Sequence, residues 1–136
     1  KFSFDHVELV DAHPNTVKLN LTGVNGSVLE VVAASIGGGR IRVCEIDGLP
    51  ANFEGDYPTL IVRNIDQPGH VMEVTAMLGH KGVNIATLQL FRKSRGGQAA
   101  MVIECDQEVP AESIKWLSRQ EGIVKVTYLS QAQRED

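Results

Sequence analysis

Alternation of apolar and polar positions dominates the first third of the chain. Asn15-Thr16-Val17-Lys18-Leu19-Asn20-Leu21 alternates as a strand with one wet face does. Thr22 to Ser27 is turn chemistry, and its Asn25-Gly26 pair favours the positive φ angles of a tight hairpin. Val28 to Ser35 reads as a second, more buried strand, broken by Gly37-Gly38-Gly39. Arg40 to Ile46 is a third, alternating strand, and Asp47-Gly48-Leu49-Pro50 closes the unit. Asn52 to Asp56 is polar and Gly-containing, which predicts a linker.

The pattern then changes period. Thr59 to Asn64 reads as a strand, and Asp66-Gln67-Pro68-Gly69 as a helix start with Asp66 as N-cap. Val71, Val74, Met77 and Leu78 fall on one helical face, and Gly82 is a C-cap. Val83 to Phe91 and Ala99 to Cys105 are strands about the Ser94-Arg95-Gly96-Gly97 turn. Pro110 to Glu121 is a helix with Ile114 and Leu117 inward, and Ile123 to Leu129 a last strand. The order is βαββαβ. Right-handed crossovers then predict an α+β, ferredoxin-like unit, four antiparallel strands with both helices on one face. The predicted organisation is a β-rich partial substrate-binding unit at 1–50, a linker at 51–57, the βαββαβ unit at 58–130 and a tail at 131–136.

Composition narrows the classes. The 136 residues carry 13 Lys plus Arg against 17 Asp plus Glu, a formal charge of −4 that disfavours nucleic acid or an anionic membrane as the main partner. No apolar run approaches the roughly 20 residues of a membrane span. The absence of an initiator Met and of a basic-apolar leader predicts a processed or excised fragment, cytoplasmic in location. Cys44 and Cys105 sit in apolar, strand-like runs and read as two buried thiols in a reducing compartment. Two cysteines do not hold an iron–sulfur cluster unaided. His70 and His80 share no helical face and read as surface residues rather than ligands, and no metal site is expected. Trp116 and Phe91 read as core or interface side chains.

Asn64-Ile65-Asp66-Gln67-Pro68-Gly69, followed by Gly82-Val83-Asn84-Ile85, resembles an ACT domain over residues 58–130. That resemblance implies a regulatory module for amino acids. Such modules pair side by side, with effectors near those two loops: Asn64, Asp66, Gly69, Asn84 and Ile85. His13-Pro14-Asn15-Thr16, Ser35-Ile36-Gly37-Gly38-Gly39 and Glu45-Ile46-Asp47-Gly48, in that order ahead of the ACT-like unit, resemble the β subunit of iron–sulfur-dependent L-serine dehydratase. Gly97 to Met101 and Glu104 to Gln107 are similar to the same subunit. The resemblance implies a role in L-serine deamination to pyruvate and ammonia, with an α subunit carrying a 4Fe–4S cluster. The serine-rich S-S-S-H-T segment of that subunit does not occur here. No catalytic residue is therefore assigned, and the fragment is expected to be inactive alone.

The individual residues leave alternatives open. Gly37-Gly38-Gly39 would let backbone amides cradle a carboxylate, or would simply make a sharp hairpin. His13, Asn15 and Thr16 suit recognition of a polar amino acid, or cap a strand start. Their functional reading, and that of Ser35, rests on the resemblance. Asp66 caps a helix, or shares that helix's N-terminus with an effector carboxylate held by Asn64 and Asn84. Two functional readings follow: the regulatory, substrate-side part of an L-serine dehydratase β subunit, or the serine-sensing end of a phosphoglycerate dehydrogenase or a stand-alone ACT sensor. Both predict L-serine or another small amino acid as ligand. Both also predict a homodimer, through the ACT-like or the N-terminal unit, because an isolated four-stranded sheet has edges to cover.

Overall fold

The computed structural model describes residues 16–22 and 28–131. His13, Asn15, most of the hairpin at 22–27 and the end of the tail lie outside the described residues. Strands β1 (Thr16–Thr22), β2 (Val28–Gly37), β3 (Arg40–Ile46) and β4 (Leu49–Phe53) form an antiparallel meander in chain order. The remainder is β5 (Thr59–Ile65), α1 (His70–His80), β6 (Ile85–Arg92), β7 (Gln98–Cys105), α2 (Ala111–Ser118) and β8 (Ile123–Leu129). Its four strands make a second antiparallel sheet in the order β6-β7-β5-β8, the ferredoxin-like arrangement. Among the described residues no helix is long and apolar enough to cross a membrane.

The strand β5 explains how the layers stack. Its alternate residues Leu60 and Val62 enter a core with Val74, Leu78, Met101, Ile103 and Leu117, beneath the helices. Ile61, pointing the other way, joins Val43, Ile46, Ala51, Phe53 and Val102 between the two sheets. Both faces of β5 are covered, so its apolar run is continuous rather than alternating. The order is helices, second sheet, meander.

Several boundaries differ from the expectation. Residues 51–53, read as the start of a linker, are strand, with Leu49, Ala51 and Phe53 buried at alternate positions. Pro50 is tolerated there because β4 is the last strand of its sheet. Helix α1 starts later than Asp66, after Gly69 in the left-handed region at φ 101°. Val71, read as inward, is exposed. Helix α2 ends at Ser118 rather than Glu121. Cys44, read as buried, is exposed, because a register shift between Val43 and Glu45 turns it outward; Cys105 is buried as expected. Trp116 is 46% exposed and not a core residue. His70 is not a surface residue: its ring packs against Gly122, where an added Cβ would lie 2.5 Å from it.

Candidate effector loops and the junction of the two sheets

The loop between β5 and α1 is pinned on two sides. The Ile65 amide donates to the Gly122 carbonyl and the Asp66 amide to the Gly97 carbonyl, each at 2.8 Å. Asp66 does not cap α1. Its carboxylate accepts from the Gly96 amide and from Arg92, both at 3.0 Å. The Gly96 amide and then Arg92 hold its carboxyl below the usual range. Helix α1 thus begins at Gly69 with no side-chain cap on its leading amides, and with Glu73 in its first turn. Beside them Asn64 is only 3% exposed. Its Nδ2 donates to the Ile65 carbonyl at 2.8 Å, while its Oδ1 is buried with no hydrogen-bond partner.

The second loop lies elsewhere. Asn64 pairs with Ala99 and Ile85 with Cys105 on the same strand, β7. At about 3.3 Å per residue the two loops are separated by about 20 Å along the sheet. Asn84 is held there by Asp106, which accepts from its Nδ2 at 2.7 Å, and by Gln107, which accepts from its backbone amide at 2.7 Å. One protomer therefore brings Asn64, Asp66 and Gly69 together, and Asn84 and Ile85 together, but not the two groups to one small molecule.

The remaining candidates cluster at one end of the meander. Thr16 pairs with Ala34, Ser35 with Ile41 and Gly37 with Arg40, so Thr16 and Ser35 stand beside the glycine turn. Gly37, Gly38 and Gly39 have φ of 92°, 63° and 76°, and an added Cβ at any of them would meet nothing within 4 Å. The backbone conformation of a tight hairpin alone accounts for the three glycines, without close approach to another group.

Asp47 belongs to the Glu45-Ile46-Asp47-Gly48 motif, but the sequence assigned its side chain no role. It follows β3 at φ 50°, exchanges hydrogen bonds with the Glu30 backbone, and its Oδ2 accepts from Lys125 Nζ at 2.8 Å with Arg63 at 3.4 Å. One side chain thereby joins β2 to β5 and β8. Burial opposes its ionisation, but the Glu30 amide, Lys125 and Arg63 outweigh that and hold the carboxyl below its usual range. The positive φ of a non-glycine residue was the only local trace of this role, and a sequence does not display it. Among the described residues no group of three His, Cys, Asp or Glu is assembled to hold a metal.

No protein-family model matches the chain. The fold is of the α+β, ferredoxin-like ACT type, and matches to D-3-phosphoglycerate dehydrogenases support that assignment. The enzyme of Methanocaldococcus jannaschii is 33% identical over 88 residues, covering 65% of this chain and 17% of its own length. The resemblance to L-serine dehydratase β subunits is borne out more broadly. The probable L-serine dehydratase beta chain of Bacillus subtilis is 32% identical over 123 residues, 90% of this chain and 56% of its own length. The L-serine dehydratase beta chain of Peptoniphilus asaccharolyticus is 30% identical over 103 residues, 76% of this chain and 46% of its own. The chain is thus a relative of L-serine dehydratase beta chains, and spans about half the length of those it matches.

Proposed function

We propose that this chain is the regulatory, substrate-side part of an L-serine dehydratase beta chain, acting with an α subunit in the deamination of L-serine to pyruvate and ammonia. It binds a small amino acid, L-serine first among the candidates, and supplies no catalytic residue. The 4Fe–4S cluster implied by the resemblance is assigned to the α subunit, and no step is placed on this chain. Thr16, Ser35 and the Gly37–Gly39 turn are the elements proposed to face substrate, with His13 and Asn15 preceding them.

The observation that carries the sensing role is the uncapped start of α1. Asp66 is turned away to Arg92 and Gly96, and no side chain caps the leading amides, which are proposed to hold a carboxylate. The unpartnered Asn64 Oδ1 adds an acceptor for an ammonium group or hydroxyl. A second copy completes the site. Strand β6 is a sheet edge, and its Leu88 and Leu90 are 40% and 48% exposed. Two-fold pairing through β6 is antiparallel. It sets Ile85 of one protomer, with Asn84 before it, beside Arg92 of its partner, and Arg92 is the residue bound to Asp66. Titration calorimetry with L-serine, and co-purification with the cluster-bearing α subunit, test the proposal. Failure to associate with α and to alter its serine turnover overturns it.

The phosphoglycerate dehydrogenase matches favour a second reading, a serine sensor with no iron–sulfur partner. It predicts L-serine binding that is indifferent to the α subunit.

A further inference from the structure

Two side chains of opposite charge lie at opposite ends of β6, on one face of the sheet. Lys93 follows the last residue of β6, two positions after Phe91, which packs between the two sheets. Lys93 thus turns to the meander face, where its Nζ would lie 3.7 Å from a Cβ at Gly48. Asp106 follows β7, four positions after Val102 of the same inter-sheet core, and turns to that face as well. Its amide donates to the Asn84 carbonyl at 2.9 Å, and its Oδ2 accepts from Asn84 Nδ2 at 2.7 Å. Both residues are exposed, and among the described residues neither has an ion-pair partner. Their surroundings differ in sign. Near Lys93, Arg63 and Lys125 share the single carboxylate of Asp47. Near Asp106, Glu104 adds a carboxylate on the same face, and Arg42 across the junction is taken by Glu54. Lys81 ends α1, on the opposite face of the sheet.

We propose that Lys93 of one protomer pairs with Asp106 of its partner, so that two symmetric ion pairs close the β6 junction. The proposal rests on the two-fold pairing through β6 described above and names what fixes its register. A two-fold axis perpendicular to the sheet keeps the meander faces of both copies on one side. Antiparallel pairing centred on β6 brings Lys93 alongside Asn84 of the partner, and Asp106 lies one strand beyond Asn84. Two strand spacings are about 10 Å, a span that an extended lysine and an aspartate bridge together. Leu88 and Leu90 are alike and tolerate a slipped register, whereas a slip carries Lys93 away from Asp106. Acting through Asp106, Lys93 is a positioning residue for the partner's Asn84 and not itself a ligand of the effector.

Charge reversal tests the pair. Lys93→Glu and Asp106→Lys each set like charges across the junction twice. Each variant alone should dimerise at least about ten-fold more weakly than wild type in sedimentation equilibrium. Mixed one to one, the two variants meet with opposite charges at both contacts. Heterodimers should then form within about three-fold of the wild-type affinity, with circular dichroism unchanged. Raising the ionic strength should weaken the wild-type dimer, but not a dimer carrying both Lys93→Gln and Asp106→Asn. Those neutral changes leave Asn84 its acceptor, so they test the charge without disturbing the loop. A mixture no better than its components, or equal salt dependence with and without the charges, would overturn the ion pair. The β6 pairing itself would still stand if Leu88→Asp with Leu90→Asp dissociates the dimer. A wild-type monomer would overturn both.

Discussion

Asp47 Oδ2 lies 2.8 Å from Lys125 Nζ, joining the meander to the last strand of the ferredoxin-like sheet. The same ammonium donates to the Val28 carbonyl at 2.8 Å, and Arg63 reaches the same carboxylate from the neighbouring strand. With the side chain of Asp47 only 12% exposed, this is a partly desolvated network rather than a surface ion pair. It anchors the two sheets next to the strand that leads into Asn64.

That network carries a pH signature. The folded carboxyl of Asp47 titrates below its unfolded value of about 4. Its contribution is therefore fully present above about pH 4 and is lost as pH falls through the lower, folded value. Asp47→Asn keeps a side-chain oxygen for the Glu30 amide and tolerates the positive φ, but removes the charge. Urea unfolding at pH 7 should show a loss of about 1–3 kcal/mol. At the lowest pH at which the protein still folds, below the unfolded value, the difference should be smaller. A loss of the same size at both values would mean that the charge is not what matters.

The two thiols should behave oppositely. Cys105 is fully buried, and burial and then Asp106 push its thiol up to about 11. Cys44 is exposed. Labelling the native protein with a thiol reagent at neutral pH should modify one cysteine quickly, and Cys44→Ser should remove that fast phase. Two thiols of equal reactivity would contradict the packing of β7.

Two glycine substitutions should separate strain from steric conflict. At Gly122, φ is 85° and an added Cβ would strike the His70 ring, so Gly122→Ala meets both. At Gly38, φ is 63° in open space, so Gly38→Ala meets strain alone. Gly38→Ala should cost about 1 kcal/mol and Gly122→Ala clearly more, by melting. Equal costs would remove the close packing of His70 on Gly122.

Edge pairing has its own test. Leu88→Asp with Leu90→Asp places two charges on the exposed flank of β6 and should convert a dimer to monomer in light scattering, with circular dichroism unchanged. A wild-type monomer at high concentration would rule out completion of the site by a second copy.

The βαββαβ order was legible because long strands and the α1 periodicity are local signals, and Val74, Met77 and Leu78 pack inward as that periodicity requires, though Val71 does not. What escaped the sequence was non-local. Asp66 has the residue type and spacing of a cap, but Arg92 and Gly96, far along the chain, claim its carboxylate. Cys44 turned outward at a bulge, which side-chain type does not announce. Pro50 and the polar residues after it masked β4, although Leu49, Ala51 and Phe53 alternate correctly. The gap of about 20 Å between the two candidate loops, by contrast, follows from the predicted βαβ crossover, which joins the end of one strand to the start of another running the same way. Both motifs are adjacent to β-strands in sequence, yet the register sends them to opposite sheet ends.

That gap provides the most direct test of the sensing site. Asn64→Ala and Asn84→Ala proteins are each titrated with L-serine by calorimetry, alone and after mixing and re-forming dimers. If each site takes Asn64 from one protomer and Asn84 from its partner, either variant alone binds at least about ten-fold more weakly. The mixed dimer then regains one intact site out of two. A mixture that binds no better than its separate components would contradict a site shared between protomers.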